Sequence, residues 1–580
     1  MVVRRGGIAL GSAVAALALV WGAGGAAPAA GVDLPTTPDR WSPKVTLRTP
    51  EGWYASPVHA TTLPDGRLLL FGLQRNQDPP QATSTGKKAA WLLDPGSPTD
   101  QLPAEITVEE IQEPVDVHGV EAGEWYVEED LYCAGHTLTS DGKVFTTGGN
   151  RRFYRSNGDI FTFGIEYSTR FDPATDTWTR LPGTSKGTSP DGGRTRWYPA
   201  VTRLSDGRML IQGGFDDVTP APIWNGTAEV WDPKTNSYQV ISPYSRTPRE
   251  IMNSTYTHAF VLPTRVEGRN VLELGEPGVP VFLGVADPAD WRVVGSRPRP
   301  GSEQFQIDRY KAGNKWNSDV APDRGASTAM LPLRVRNGEW GYNNGSLVVA
   351  GGAQDTRHQQ GVDVYDPVAN QWTARQLLVR RYTPDIVTLP DGRLLVVGGG
   401  GNIDPLVRHT EYLDPRNGFA QSLGASDGGE VRGYHSVKVL LPDGRIFVGG
   451  GRDVVRTGSL EKQSFRYYFP DYMEKDRPEI LGGPETLTVG QPFAVQTDRA
   501  LSEIVLVALG SQTHSYDMNQ RHVQVPLLAN LPATGGNYAI AGGVAGPQVV
   551  PPGHYMLFAL DAQRVPSVAK IVQVLPVAGS

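Results

Sequence analysis

The amino-acid sequence predicts an all-β protein, a seven-bladed β-propeller followed by an immunoglobulin-like β-sandwich. A hairpin pattern built on an Asp-Gly turn recurs along the first four-fifths of the 580-residue chain. The 68 glycines and 47 prolines are spread between short apolar runs, which is typical of many strands joined by tight turns. The last hundred residues continue as alternating strands without the repeat, and this change indicates a second domain.

The repeat occurs seven times. Its copies read LPDGRLLLFG at 63–72, TSDGKVFTTGG at 139–149, LSDGRMLIQGG at 204–214, VEGRNVLELG at 266–275, NNGSLVVAGG at 343–352, LPDGRLLVVGGG at 389–400 and LPDGRIFVGGG at 441–451. Each copy is an apolar strand, a tight turn and a second apolar strand ending in glycine, the pattern of a β-hairpin. Asp-Pro turns such as TRFDPATDTW lie between the copies and predict an outer hairpin. Four strands in a unit of about 50 residues is the kelch repeat, and seven units close into a propeller.

Domain boundaries follow from where the repeat starts and stops. We assign residues 51–470 to the propeller and 475–577 to the sandwich, with 32–50 as a linker or a strand that closes the ring. Residues 1–31 combine two early arginines, an apolar run from Ile8 to Trp21 and a small-residue end rich in alanine. That layout predicts a signal peptide, because the apolar run is short for a spanning helix. We therefore expect a secreted, extracytoplasmic protein, with retention at the cell surface left open.

Charge and cysteine content narrow the class of partner. The chain has 61 acidic and 54 basic residues, a net charge of −7 and no basic block, so a nucleic-acid partner is not expected. The acidic run Glu128–Asp130 is interpreted as solvated. Cys133 is the single cysteine. In an exported protein it is a buried bystander, an intermolecular link or a reactive group, and composition leaves these alternatives open.

Equivalent positions of three repeats carry chemically active side chains. Eight residues before the turn aspartate lie Cys133 (before Asp141), Tyr198 (before Asp206) and His435 (before Asp443). In a propeller the same repeat position lies at the same height around the central axis, so these side chains and the adjacent Tyr434 should face one space. Neighbouring strand residues point to opposite faces, so Tyr434 and His435 can share a site only at an irregularity. Gly433, which precedes them, favours one.

The chemistry of this set suggests a metal. Imidazole and phenolate together suit Cu(II). A phenol has a pKa near 10, and a coordinated dication favours its deprotonated form. A thiol beside such a phenol can be bonded to the ring carbon ortho to the oxygen, giving a ring that loses an electron more readily than plain tyrosine.

The motifs resemble those of the copper radical oxidases, the family of galactose oxidase and glyoxal oxidase. The matching stretches are YCAGHTLTSDGKVFTTGG, RWYPAVTRLSDGRMLIQGG, VRGYHSVKVLLPDGRIFVGGG, SQTHSYDMNQRHVQVPL and PPGHYMLFALDAQRVPSVAKIVQV, and the likeness covers about residues 40–577. The resemblance implies a Cys133–Tyr198 thioether that carries a radical, with Tyr434 as the axial tyrosine. It also implies His435 and His514 as imidazole ligands, with His514 on a loop of the sandwich that reaches up the propeller channel.

The same resemblance implies an activity. A small aldehyde or alcohol would react with O2 to give the oxidised product and H2O2. Tyr434 would take the substrate proton, the Tyr198 radical would remove hydrogen from carbon, and Cu(II) would accept the second electron. We expect a monomer, with a cell-surface glycan and a copper-delivery protein as further candidate partners. The alternative is a non-catalytic propeller that binds a glycan or a protein, because propellers have many functions.

Departures from galactose oxidase affect the substrate. Phe215 or Asp216 stands where galactose oxidases place an indole over the cross-linked ring, and Asn253 and Ser254 stand near the sugar-binding arginine. Galactose is therefore not the expected substrate, and a glyoxal-oxidase-like substrate is favoured. Three tryptophans are candidates for the shielding ring: Trp197, Trp224 and Trp316. Three further histidines are interpreted as structural: His136, His258 and His409.

Overall fold

A computed structural model gives the fold of the chain. It describes residues 39–75, 88–98, 101–111, 118–119, 125–155, 160–183, 195–214, 225, 227–242, 256–275, 279–283, 291–293, 325–336, 342–352, 359–400, 405–427, 430, 432–452 and 461–576. Most regular structure in these ranges is β-strand. Short turns of 3-10 helix occur at Pro405–Arg408, Pro415–Asn417 and Asp471–Glu474, and residues 359–360 are helical. Among them no helix is long and apolar enough to cross a membrane.

The predicted hairpins each begin a four-stranded antiparallel unit. The first four units are Tyr54–Thr62, Leu68–Arg75, Lys88–Leu93 and Glu109–Ile111; Gly135–Leu138, Val144–Thr147, Tyr167–Asp172 and Thr177–Gly183; Ala200–Arg203, Met209–Gln212, Ala228–Asp232 and Ser237–Ser242; and His258–Val266, Arg269–Gly275, Val279–Leu283 and Trp291–Val293. The next two are Ser327–Met330, Leu347–Ala350, Gly361–Asp366 and Gln371–Gln376; and Asp385–Thr388, Leu394–Val397, His409–Asp414 and Ala420–Ser426. These repeated four-stranded units confirm the all-β fold of propeller type that the sequence predicts; the number of blades stays a prediction.

The last unit joins the two ends of the propeller segment. It consists of Tyr434–Leu440, Ile446–Arg452, Ser464–Phe469 and the early strand Val45–Arg48, which pairs antiparallel with Ser464–Phe469. The shorter strand Arg40–Trp41 pairs with Ser464–Phe469 as well. Glu105–Thr107 adds to Val45–Arg48 in parallel. Residues 40–48 therefore join this last unit to the first by strand pairing.

The Asp-Gly-Arg turns explain why the repeat has this sequence. In LPDGRLLLFG, Asp65 Oδ1 accepts the backbone amide of Arg67 at 3.0 Å, and Asp65 Oδ2 accepts Arg67 Nε at 2.8 Å. Gly66 between them has φ +90°, a left-handed conformation in which glycine is favoured. The same arrangement recurs around Asp206, Asp391 and Asp443. The aspartate therefore fixes the turn through its side chain.

An additional sheet is formed by segments that precede and interrupt the second repeat unit. Its strands are His118–Gly119, Trp125–Asp130, Asn150–Arg155 and Ile160–Gly164. The interpretation of Glu128–Asp130 as solvated is wrong at two of its positions, because Glu129 and Asp130 are buried. Glu129 binds Arg151 Nε at 2.5 Å and accepts the Tyr167 hydroxyl at 2.7 Å. The charge of Glu129 is therefore paired across the sheet with Arg151.

The C-terminal residues form the β-sandwich that the sequence predicts. One sheet contains Ile480–Gly482, Phe493–Thr497, Leu527–Ala533 and Gly536–Ala541, and the other contains Thr486–Leu487, Glu503–Ala508, His522–Val525, Gly553–Leu560 and Lys570–Val574. Between Glu503–Ala508 and His522–Val525, the strand Ser511–Thr513 leaves the sandwich, pairs with Tyr54–Thr62 of the propeller and then with Tyr516–Asp517. This excursion brings the next residue, His514, to the propeller axis.

Candidate metal centre

The structure brings all five predicted site residues together. The hydroxyls of Tyr198 and Tyr434 lie 2.9 Å apart, although the residues are in different repeats. Cys133 Sγ lies 3.7 Å from His514 Nε2. Donor atoms of Cys133, His435 and His514 all lie within 4.8 Å of one another. One thiol, two phenols and two imidazoles thus surround a common space.

The repeat position itself has an unusual backbone. Cys133, Tyr198 and His435 have φ values of 59°, 63° and 64°, and Thr383, at the same position before Asp391, has 52°. Residues other than glycine rarely adopt these values, and such conformations cluster at functional sites. The shared conformation turns each side chain out of the regular strand alternation toward the axis.

This conformation also explains how Tyr434 and His435 can both face the centre. The ladder pairs Tyr434 with Arg452 and Ser436 with Gly450, so His435 stands between two registered pairs. The two rings then lie side by side, with centroids 3.9 Å apart. Gly433 is required here because a Cβ would approach the Arg452 carbonyl oxygen to 2.8 Å. The expected irregularity is therefore present.

Hydrogen bonds orient the His514 ring. Thr513 donates its hydroxyl to the Val58 carbonyl at 2.8 Å, and the Thr513 oxygen also lies 2.6 Å from His514 Nδ1. The second nitrogen, Nε2, is the one directed toward Cys133. His514 and Ser515 have φ values of 48° and 66°, so the chain turns sharply at the centre.

Residues outside the predicted set hold His435. Glu461 is buried, and its Oε1 lies 2.6 Å from His435 Nδ1. Arg452 Nε lies 3.5 Å from the same carboxylate oxygen. The Tyr132 hydroxyl lies 3.1 Å and 3.2 Å from the two ring nitrogens. A carboxylate on Nδ1 fixes the tautomer that leaves Nε2 as the lone-pair donor.

Backbone hydrogen bonds place the thiol beside the phenol. The Cys133 carbonyl oxygen accepts the backbone amide of Tyr198 at 3.0 Å, and the Cys133 amide donates to His59 Nε2 at 3.0 Å. The buried thiol lies within hydrogen-bonding reach of the Tyr198 phenol. The two residues proposed for cross-linking are therefore neighbours before any bond forms.

Burial sets the protonation of these groups. It raises the pKa of the Tyr198 phenol well above its usual value, and the nearby Cys133 and Tyr434 raise it further. Burial lowers the pKa of both imidazoles, with Glu461 partly opposing the change at His435. The imidazoles are thus neutral lone-pair donors, as metal binding requires. A dication would reverse the preference at the phenol, since a bound cation stabilises the deprotonated form.

Aromatic rings enclose the Tyr198 side chain. The Trp197 ring is 4.9 Å away at an interplanar angle of 41°, and Tyr256 packs edge-on at 5.3 Å. Of the three tryptophan candidates, Trp197 is the one within the described residues, and it contacts Tyr198. The remaining positions named for substrate selection lie outside the described residues: Phe215, Asp216, Trp224, Asn253, Ser254 and Trp316.

The three histidines interpreted as structural bind protein groups. His136 Nδ1 lies 2.7 Å from the Ser511 hydroxyl, and burial lowers the pKa of His136 to about 3. His258 Nδ1 lies 2.8 Å from the Thr328 hydroxyl, and His409 Nδ1 lies 2.9 Å from the Gly424 carbonyl oxygen. Four residues around the centre are not among the site residues predicted from the sequence: His59, Tyr132, Tyr256 and Glu461. Only Tyr132, adjacent to Cys133, had a sequence signal.

Sequence and fold comparisons show that this chain is similar to galactose oxidase and related oxidases. Residues 477–574 match the family model "Galactose oxidase-like, Early set domain". Over 570 residues the chain is 23% identical to a galactose oxidase of Gibberella zeae, covering 92% of this chain and 70% of that protein. It is 25% identical over 485 residues to the aldehyde oxidase GLOX of Vitis pseudoreticulata, covering 77% and 82%. The fold is similar, with a TM-score of 0.65 and 18% identity, to a fungal alcohol oxidase of the AA5 family solved with copper, covering 93% and 99%.

Proposed function

Because this chain belongs to the copper radical oxidase family, we propose that it is a secreted oxidase that converts small aldehydes or primary alcohols with O2 and releases H2O2. We further propose that it is closer in specificity to glyoxal oxidase than to galactose oxidase. The observation that carries this proposal is the convergence of a thiol, two phenols and two imidazoles from three repeats and the C-terminal domain. Secretion is proposed from residues 1–31.

The residues present fit a copper ion. His435 and His514 each use Nδ1 for a protein contact, which leaves Nε2 as the donor atom. His514 Nε2 is directed toward Cys133, and His435 Nε2 lies 3.2 Å from the Tyr132 hydroxyl. The paired hydroxyls of Tyr198 and Tyr434 add two oxygen donors. This nitrogen and oxygen set suits Cu(II). When bound, copper would supply a one-electron acceptor and an attachment point for the substrate oxygen.

Two tyrosine side chains remove the substrate proton and the substrate hydrogen atom. Tyr434 takes the substrate proton, because Cys133 is the single cysteine and its proposed cross-link uses the other phenol, Tyr198. The thioether-linked Tyr198, in the one-electron-oxidised radical form that O2 restores after each turnover, takes a hydrogen atom from the substrate carbon. Trp197 and Tyr256 are packed against its ring. Over the whole reaction an alcohol loses two hydrogens to O2 and gives an aldehyde and H2O2. A hydrated aldehyde gives the acid in the same way.

A substrate screen tests this function. The copper-loaded full chain is incubated with small aldehydes, glycolaldehyde-type compounds, primary alcohols and galactose, and peroxide release is measured. We expect the best small aldehyde to have a far higher kcat/KM than galactose. Galactose oxidases have an indole and a sugar-binding arginine at positions where this chain has Phe215 or Asp216 and Asn253 or Ser254. Comparable values for the two would refute the specificity. Absence of peroxide with every substrate would favour the non-catalytic propeller.

Glu461→Gln should weaken copper binding. The change keeps the size of the side chain but removes the negative charge that lies 2.6 Å from His435 Nδ1. Loss of such a partner typically costs about 10–100-fold in metal affinity. Competition with a chelator of known copper affinity measures the effect. The matched control is Glu503→Gln, which removes a part-buried glutamate paired with Arg416 in the sandwich and should leave affinity unchanged. Equal affinities for Glu461→Gln and the parent chain would contradict the assignment.

A further inference from the structure

Most buried arginines of the described residues are paired with a carboxylate, and two are not. Six arginines are buried within the described residues. Four of them lie beside a carboxylate: Arg196 is 2.9 Å from Glu229, Arg381 is 3.7 Å from Glu411, Arg432 is 2.8 Å from Glu430 and Arg445 is 2.6 Å from Asp443. The exceptions are Arg203 and Arg521, which are 5% and 8% exposed and have no ion pair with any described residue.

The two exceptions make few hydrogen bonds. Arg203 Nη1 reaches the Leu138 carbonyl at 3.5 Å, and the Arg203 guanidinium also has a hydrogen bond with the neutral Tyr555 phenol. Arg521 Nη2 donates to the Val261 carbonyl at 2.8 Å, and its Nη1 contacts Met330 Sδ at 3.0 Å. The Nε group of each arginine is buried and has no acceptor among the described residues. A guanidinium has five N–H donors, and on this pair at least the two Nε donors are unused among the described residues.

Both guanidinium groups line one cavity of about 30 Å³. Its wall also includes Tyr555 and Asp517. The Asp517 carboxylate is turned elsewhere: Oδ1 accepts the backbone amides of Ser511 and Asn519 at 2.8 Å and 2.9 Å. Burial lowers the pKa of Arg521 to about 10, and repulsion from Arg203 contributes. Two like charges therefore face the same small space without a protein anion between them.

We propose that this cavity binds one small inorganic anion of the halide type, with chloride as the occupant. Leaving a charge buried without a counter-charge is strongly unfavourable, and here two such charges adjoin. The volume admits one or two water-sized particles and excludes a phosphate ester or a sugar acid. The unused N–H donors supply the contacts that an anion needs.

The position gives the site a structural role. Arg203 ends the strand Ala200–Arg203, which begins two residues after Tyr198. Arg521 follows the segment that carries His514. An anion held by both arginines would join the propeller strand next to one proposed ligand to the sandwich loop that bears another. The proposal does not depend on the oxidase activity.

Thermal unfolding of the full chain tests the site. Sodium chloride replaces sodium gluconate at constant ionic strength, because gluconate is too large for the cavity. We expect a saturable rise in Tm, of about 2 °C when chloride reaches a hundred times its Kd. Arg203→Met and Arg521→Met should remove the chloride dependence. The control Arg445→Met deletes a buried arginine that has a carboxylate partner, and it should keep the dependence.

A chloride-independent Tm in the parent chain would overturn the proposal, and so would an unchanged dependence in both cavity variants. If these variants do not fold, crystals of the parent soaked in bromide replace them. An anomalous peak between the two guanidinium groups, together with the Tm effect, supports the site. No peak overturns it. A peak without a Tm effect means binding at crystal concentration only and also overturns it.

Discussion

Tyr198→Phe is expected to abolish both the thioether and peroxide formation. Phenylalanine keeps the ring that packs against Trp197 and Tyr256, so the apolar packing is largely retained. It removes the hydroxyl that ligates copper and directs bond formation to the ortho carbon. Without that oxygen, Cys133 has an ordinary phenyl ring as its neighbour. Intact-protein mass after aerobic copper loading and steady-state peroxide release measure the two losses.

The control for Tyr198→Phe is Tyr256→Phe. Tyr256 packs edge-on against Tyr198, and its hydroxyl donates to the Ala134 carbonyl at 3.3 Å. Its loss removes a hydroxyl from the same aromatic cluster without removing a proposed ligand. The thioether should therefore form in Tyr256→Phe. A thioether in Tyr198→Phe would show that the cross-link involves another ring.

Tyr434→Phe should fail in a different way. The thioether should still form, because its two partners are Cys133 and Tyr198. What disappears is the proposed base, whose hydroxyl lies 2.9 Å from that of Tyr198. General base catalysis contributes about 10²–10⁴-fold, so peroxide production should fall by that factor. The absorption of the stable radical should survive after oxidation of the variant.

The peroxide assay also distinguishes the proposed base, Tyr434, from the proposed radical carrier, Tyr198. Tyr256→Phe again serves as the control, since it is a Tyr→Phe change beside the centre and should retain turnover. If Tyr434→Phe turns over at the parent rate, Tyr434 is not the base. If Tyr434→Phe lacks the thioether, the division of labour between the two tyrosines is wrong.

The repeat made much of the site predictable from sequence. A propeller places equivalent repeat positions around one axis, so counting eight residues back from the turn aspartates located Cys133, Tyr198 and His435. The structure adds the reason that these positions turn inward, which is their left-handed backbone conformation. That feature has no signature in the residue types, because a cysteine, a tyrosine and a histidine share no preference for positive φ.

Other features depended on the folded chain. His514 lies in another domain and was found by resemblance, since no spacing connects it with the repeats. Glu461 follows the last hairpin and is not at a position that the repeat defines. Only the folded chain shows that its carboxylate contacts His435 Nδ1. The acidic run Glu128–Asp130 was misread because charged residues usually face water. Here Glu129 is paired across the sheet with Arg151.

The proposed chemistry depends on a covalent bond between Cys133 and Tyr198. The most direct measurement is the intact mass of the full chain before and after copper loading in air, combined with alkylation of Cys133. Formation of a bond between Sγ and the ring carbon removes two hydrogens, which O2 accepts. We expect that loss of mass, a Cys133 that resists alkylation and a peptide pair that stays joined under reduction. An unchanged mass with a freely alkylated Cys133 would contradict it.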